Sequence, residues 1–351
     1  MRLPSKLRSG CLALAGILAG GLLALAVLNW RVAARRARPL EEPQLTPAEK
    51  TQLSEALRLK TALGDRVWPG FGRAEIPVIL FNDRYEFLVH VTGPPAPWKT
   101  VEGGQFQGKP YYRRAARNPQ AFAVPVGAGW AGSLGTLERM NREYLLGARQ
   151  QLPPVIAQLF PYFFATITAD FHVAALLHEL FHAHQALSAP AHFAATRPFD
   201  KPQPRYPYQD ETFAAAWDRE GALLTAALDA ADERAARPLV RQFLDARQAR
   251  RSRAALSDHL RAYERHMEWL EGLAKHVEIR SYELWGYRSD FLYWKMDFQR
   301  LKSRLGRQSG DQRFYLSGMA QARLLDKLVP KWQLQAMRGQ VCLEDLLRDK
   351  L

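Results

Sequence analysis

Five residues constrain this chain more than any others: His178-Glu179-Leu180-Phe181-His182. They read H-E-x-x-H inside an apolar segment, 169–187, that contains neither glycine nor proline. The flanking Phe171, Ala174, Ala175, Leu176, Leu177, Leu180 and Phe181 predict a helix. Residues four apart share a helix face, so His178 and His182 can present two imidazoles to a single ion. Glu179 stands about 100° further round, close enough to take a proton from a water at that ion without ligating the ion itself. Burying such a face inside an apolar helix is costly unless something pairs with it. A buried helix with hydrogen-bonded histidines is the plainer alternative, and metal binding is preferred because it supplies that partner.

A catalytic zinc site uses three protein ligands and leaves one position open. Two downstream acids precede a glycine in similar surroundings. Glu271 lies in Trp269-Leu270-Glu271-Gly272-Leu273-Ala274-Lys275-His276-Val277-Glu278, and Glu220 lies in Glu220-Gly221-Ala222-Leu223-Leu224, 38 positions after His182. Glu220 reads alternatively as a carboxylate holding a histidine N–H in place. Glu268, Glu278 and Glu283 are further candidates, with salt-bridge partners as their ordinary role. No spacing requires His172, His184 or His276, which are expected in the core or supporting the ligands.

H-E-x-x-H followed on a later helix by a W-L-x-E-G-x-A-type segment resembles the gluzincin class of zinc metallopeptidases, such as the membrane-alanyl aminopeptidase and thermolysin-like families. The resemblance implies that His178, His182 and Glu271 bind one Zn2+ per chain. It also implies that Glu179 is the general base and that the substrate is a peptide or protein. Here the segment is one residue shorter between Leu270 and Glu271, and His276 stands where tyrosine is usual. Glu271 follows His182 by 89 positions, a gap that an inserted helical pair could fill. Tyr315-Leu316-Ser317-Gly318, followed by Leu324-Leu325-Asp326, is similar to the stretch that supplies an oxyanion-stabilising tyrosine in the aminopeptidase-like families. A core tyrosine is the other reading of Tyr315. No G-x-M-E-N signature precedes the proposed zinc helix, so aminopeptidase specificity is not implied.

The N-terminus is the second informative stretch. Between Arg8 and Arg31 lie 22 uncharged residues, 9–30, about 33 Å of helix and enough to span a bilayer core. A cleaved signal peptide competes with an anchor, because the short basic start suits either. The run is long for a signal peptide, and Arg31, Arg35 and Arg36 crowd the point of cleavage. Cys11 stands at the start of the run, which does not suit a lipoprotein site. An uncleaved single-pass membrane anchor is therefore preferred. Basic residues flank both ends and leave the orientation poorly determined. Analogy with anchored hydrolases that have a short N-terminal tail gives a weak lean to an extracytoplasmic domain.

Net charge is +14, but residues 1–40 hold seven basic side chains and no acid, so the remainder is only mildly basic at +7. No nucleic-acid partner is expected. The arginines of 234–253 read as a solvated helix face in preference to a nucleic-acid or lipid surface. Cys342 is the single thiol outside the apolar run, so no internal disulfide is expected.

Thr46-Pro47-Ala48-Glu49 is a capping box with proline at the first helical position. Strands are expected at 76–80 and 85–91, paired across Asn82-Asp83, and again at 102–112 and 121–126. The glycine-rich 127–133 reads either as an edge approached closely by another backbone or as an ordinary loop. Helices are expected at 137–151, through the H-E-x-x-H segment, at 211–231, along a bent stretch at 238–275, and at 282–305, 311–328 and 342–350. A proline-rich loop, 188–207, lies between and could form one wall of a cleft. Strands first and helices after predict an α+β, zincin-like fold behind an N-terminal transmembrane helix. The expected parts are an anchor and basic flank (1–40), a small β-sheet subdomain (41–135) and a mainly helical zinc-binding subdomain (136–351), with 41–351 one catalytic domain. Two other classes stay open: a zincin-like scaffold at the membrane without turnover, and a binder driven by basic charge. The intact Glu179 argues against the first and the mild charge against the second.

Overall fold

The computed structural model describes residues 5–36, 38–94, 96–160, 166–199, 201–286 and 291–349. They form a mixed α+β structure in which one six-stranded sheet is followed by a long series of helices. The chain opens with helix α1 (Ser5–Arg36), whose stretch Gly16–Arg35 is long and apolar enough to cross a membrane. Helix α2 (Pro47–Val67) begins at the expected capping box: the Thr46 hydroxyl accepts from the Glu49 N–H, and the Glu49 carboxylate accepts from the Thr46 N–H at 2.7 Å.

Strands β1 (Val78–Phe81) and β2 (Tyr85–Val89) pair antiparallel. The Asn82 side chain fixes the turn between them by accepting from the backbone N–H groups of Arg84 and Tyr85. The stretch 102–112 is not one strand but a hairpin, β3 (Lys99–Phe106) and β4 (Lys109–Ala115). Gln107 and Gly108 turn it, with positive φ angles of 50° and 74° that reverse the chain in two residues. Strands β5 (Phe122–Val126) and β6 (Gly129–Gly135) form a second hairpin. The sheet order is β3-β4-β2-β1-β6-β5, with β1 and β6 parallel. The glycine-rich 127–133 is therefore neither a loop nor an edge over most of its length: it builds β6, one strand in from the edge strand β5.

The helices that follow are α3 (Leu137–Gln151), α4 (Pro154–Leu159), α5 (Ala169–Ser188) and α6 (Pro190–Thr196), then α7 (Glu211–Asp229) and α8 (Glu233–Arg253). After α9 (Asp258–Met267) comes a π-helical turn, Glu268–Gly272, which runs directly into α10 (Leu273–Trp285). The series ends with α11 (Phe291–Ser303), α12 (Gln312–Leu328), α13 (Trp332–Ala336) and α14 (Leu343–Arg348). Much of the expected loop 188–207 is thus helical, because Phe193 on α6 packs onto Phe122 and Trp130 of the sheet. The stretch 238–275 starts earlier than its proline suggests. Asp232 caps α8 and Pro238 lies inside the helix. The expected helix 282–305 divides at Gly286, which ends α10 in a left-handed conformation with φ 75°. Residues 287–290, and Lys350 of the expected last helix, lie outside the described residues.

One hydrophobic core extends from Leu45 to Leu347 and joins the inner face of the sheet to α2, α5 and the later helices. Helix α5 lies across β6 and β5. The approach is closest at Gly132, where a Cβ would stand 2.8 Å from the Leu180 nitrogen and 3.0 Å from the Glu179 carbonyl carbon. Only glycine lets the H-E-x-x-H helix sit this near the sheet.

Of the arginines of 234–253, Arg234, Arg241 and Arg253 are exposed as expected, but three others depart from a solvated face. Arg247, Arg250 and Arg251 are buried and pair with Glu220, Glu264, Glu268 and Glu344. Packing of α7 against α8 brings Glu220 to Arg247 and Arg250 at 3.0 and 2.6 Å. Aromatic faces cover the same guanidinium groups, with Trp217 4.0 Å from Arg250 and Phe243 4.5 Å from Arg247. Helical periodicity marks such residues as polar but cannot reveal that another helix carries their counter-charges.

Candidate metal centre

Thr168 caps α5 by accepting from the Phe171 N–H, and fourteen residues of the helix are buried, among them His178, Glu179 and His182. The two imidazoles lie on one face, ring centroids 4.8 Å apart. Glu271 reaches the same point from the π turn. Its Oε2 is 3.4 Å from His178 Nε2 and 3.2 Å from His182 Nε2. All three residues are buried, and one donor atom from each lies within 4.8 Å of the others. Donors around a tetrahedral ion bound at about 2.0–2.1 Å are separated by roughly 3.4 Å, so the two printed separations suit such an ion. Two imidazole nitrogens and a carboxylate oxygen are also a borderline donor set that first-row divalent metals accept. The group could hold a metal ion.

The outer nitrogens of both rings are engaged. His178 Nδ1 lies 3.1 Å from Glu278 Oε2, and Glu278 is itself bonded by Lys275 at 2.7 Å. His182 Nδ1 lies 2.9 Å from Gln185 Oε1. In neutral rings these acceptors favour a proton on each Nδ1, which frees each Nε2 lone pair for an ion. Gln185 also donates to the carbonyls of Trp269 and Leu270 at 3.0 and 3.1 Å. One side chain therefore ties the histidine helix to the turn that carries the carboxylate.

The π turn separates two acids that a regular helix would place nearer one face. Its wider winding sends Glu268 towards Arg247 and Ser317, and Glu271 towards the histidines. Two glycines allow the turn to press on α12. A Cβ on Gly318 would lie 2.4 Å from the Glu268 carbonyl oxygen, and one on Gly272 would lie 2.4 Å from the Gly318 Cα. That contact brings Tyr315 over the site. Its ring stacks on His178 with centroids 5.9 Å apart, and its hydroxyl bonds to Glu271.

The electrostatics follow from burial and these pairings. Burial raises the Glu179 carboxyl to a pKa of about 7 against the opposing pull of both histidines. Its Oε2 is buried with no hydrogen-bond partner among the described residues. Burial opposes charge on His178, yet Glu271 and Glu278 outweigh it and push the imidazole pKa up to about 10. Burial also opposes ionisation of Glu271, but His182 and His178 hold its pKa well below the usual carboxylate range. Without a cation, positive charge on His178 faces the carboxylate, and metal binding must displace a proton there. Burial and Glu271 raise Tyr315 well above the usual phenol value, so it remains a hydrogen-bond donor.

The other candidates take different places. Glu220, the rival ligand, belongs to the arginine network, held by Arg247 and Arg250, and supports no histidine. Glu268 joins the same network, and Glu283 pairs with Arg280 and Arg323. Glu278 stands behind His178, away from the ion position. His172 bonds the Gly135 carbonyl, His184 packs on Phe71 and Phe181, and His276 lies in the core near Asp326 and Trp332. Sequence reasoning missed Gln185 and Phe122, whose ring lies 4.7 Å from that of His182. The i+3 spacing from His182 was the one available signal for Gln185. No protein-family model, curated protein or solved structure matches this chain, so the functional reading rests on its own residues and geometry.

Proposed function

We propose that this chain is a membrane-anchored, zinc-dependent metallopeptidase of gluzincin type with a zincin-like fold. The observation that carries the reading is Glu179: a buried carboxylate with an unpartnered oxygen and a pKa near 7, adjoining a two-histidine, one-glutamate group. A structural metal site needs no such base, whereas hydrolysis near neutral pH needs a carboxylate poised there. His178, His182 and Glu271 would hold zinc. Zinc so held supplies Lewis acidity and makes a water nucleophilic near pH 7.

The chain's own residues do the rest. Glu179 takes the proton of the attacking water and passes it to the leaving amine. Tyr315 donates a hydrogen bond to the oxyanion that develops at the scissile carbonyl. A peptide substrate is favoured by the edge strand β5, which starts with Phe122 beside His182 and has no outer pairing partner among the described residues. An extended chain can add to such an edge through its backbone. The apolar α1 serves as a single-pass anchor in this reading, with the remaining domain on the extracytoplasmic side.

The test compares the full chain with Glu179→Gln for zinc content and for cleavage of a diverse peptide library. The expected outcome is about one zinc per chain in both proteins, with cleavage reduced 10²-fold or more in the variant. Zinc-loaded wild type that cleaves nothing would leave a metal-binding scaffold, and equal cleavage by both would remove the base.

A further inference from the structure

The end of α1 is fastened to the folded domain. Asn29 is 3% exposed, and its side-chain amide donates to the Gln158 carbonyl of α4 at 2.7 Å. One turn on, Ala33 packs with Leu145 of α3. The depth of Asn29 therefore sets the depth of α4. The uncharged run ends at Trp30 and is followed by Arg31, a pairing of tryptophan and arginine that belongs at a membrane–water boundary.

At that level α4 exposes apolar side chains. Val155 is 71% exposed and Ile156 51%, and Leu146 and Tyr144 of the neighbouring α3 are exposed as well. Trp30 of α1 is 70% exposed. A groove of about 270 Å³ between α1 and the hairpin is lined by Ala26, Asn29, Trp30, Arg149, Ala157 and Gln158. Arg149 on its lining is exposed, and so are Arg31, Arg35 and Arg38, which follow Trp30 in the chain. Exposed apolar side chains, a tryptophan and arginines near this end of α1 are the residue types that suit acyl chain, carbonyl region and anionic headgroup at a lipid boundary.

We infer that the α3–α4 hairpin is a second membrane contact: Val155 and Ile156 enter the interface of the bilayer that α1 crosses, and Arg149 meets its phosphates. The inference rests on the anchor reading of α1 and is independent of the peptidase reading. Its consequence is mechanical. One helix leaves a domain free to swivel above the membrane, while two contacts hold it at a fixed attitude and the metal centre at a fixed height.

The test uses the full chain with Cys11→Ser and an environment-sensitive fluorophore on single cysteines at Val155→Cys, Ile156→Cys, Leu18→Cys and Leu334→Cys. The buried Cys342 is retained. Each protein is reconstituted in phosphatidylcholine–phosphatidylglycerol vesicles containing spin-labelled lipids. Probes at 155 and 156 should be quenched by shallow lipid labels at least threefold more than the probe at 334, an exposed site on α13, and correspondingly shielded from aqueous iodide. A deep lipid label should quench the probe at 18. If 18 is quenched while 155 and 156 behave like 334, the hairpin contact is overturned and the anchor stands. If 18 is not quenched by lipid, the anchor reading fails and takes the contact with it.

Discussion

Glu278 Oε2 lies 3.1 Å from Nδ1 of His178, on the side of the ring opposite the nitrogen that faces Glu271. The two carboxylates thus divide the imidazole between them: one supports the ring and one shares its ligand position. Lys275 holds Glu278 ionised, and burial is overcome to bring that carboxyl down to about 2. An ionised acceptor behind a ligand raises its basicity and fixes its tautomer. Glu278→Gln should keep the fold and lower zinc affinity about 10- to 100-fold in chelator competition. Unchanged affinity would reduce Glu278 to a partner of Lys275.

Glu271 and Glu220 are both E-G pairs in the sequence; the family resemblance favours Glu271, and the surroundings of the two acids separate them as well. Glu271→Ala should abolish stoichiometric zinc binding. Glu220→Ala should retain zinc but lose about 3 kcal/mol of stability in urea unfolding, since it removes the carboxylate that Arg247 and Arg250 share and leaves them only Glu268, Glu344 and Glu264. Zinc loss in both variants, with both still folded, would contradict this division.

The contact between Gly318 and the π turn positions Glu271 without touching it. An added methyl at Gly318 would meet the Glu268 carbonyl oxygen at 2.4 Å, a backbone atom that cannot swing aside. Gly318→Ala should cost about 1–3 kcal/mol and weaken zinc binding with all three ligands present. Thermal unfolding with and without metal checks it: a loss confined to stability, with full affinity, would detach this contact from the metal centre.

Acid should act through the arginine network. Burial opposes ionisation of Glu344 and Glu264, but the facing arginines prevail and lower Glu344 to about 2 and Glu264 further. Both pKa values are depressed on folding, so their stabilisation is complete above the usual value of 4.5 and is lost as pH falls towards 2. The unfolding free energy of metal-free protein should drop across that window, and Glu344→Gln should flatten the drop. Identical pH slopes in wild type and variant would place the acid sensitivity elsewhere.

Local rules carried a good part of this molecule. The H-E-x-x-H helix, the capping box at Thr46, the β1–β2 hairpin and the apolar α1 were legible because each depends on residues within a few positions of one another. Gly132 was legible only in part. Its run signalled a close backbone approach, but the approaching backbone lies some fifty positions away in α5 and could not be named. The burial of Arg247, Arg250 and Arg251 was hidden for the same reason: the four acids that neutralise them come from α7, α9, the π turn and α14.

By itself, then, the sequence determined that two imidazoles and a carboxylate share one helix, since a fixed 3.6-residue period leaves them no other arrangement. It also determined an apolar helix of membrane length at the N-terminus. The E-G segment and its resemblance pointed to Glu271, and tertiary structure decided that this acid, and not Glu220, stands beside the imidazoles. That choice depends on a π turn, a glycine contact with α12 and an arginine cluster that occupies the competing carboxylates. Each of these is a packing relation between segments far apart in the chain, and no local spacing encodes it.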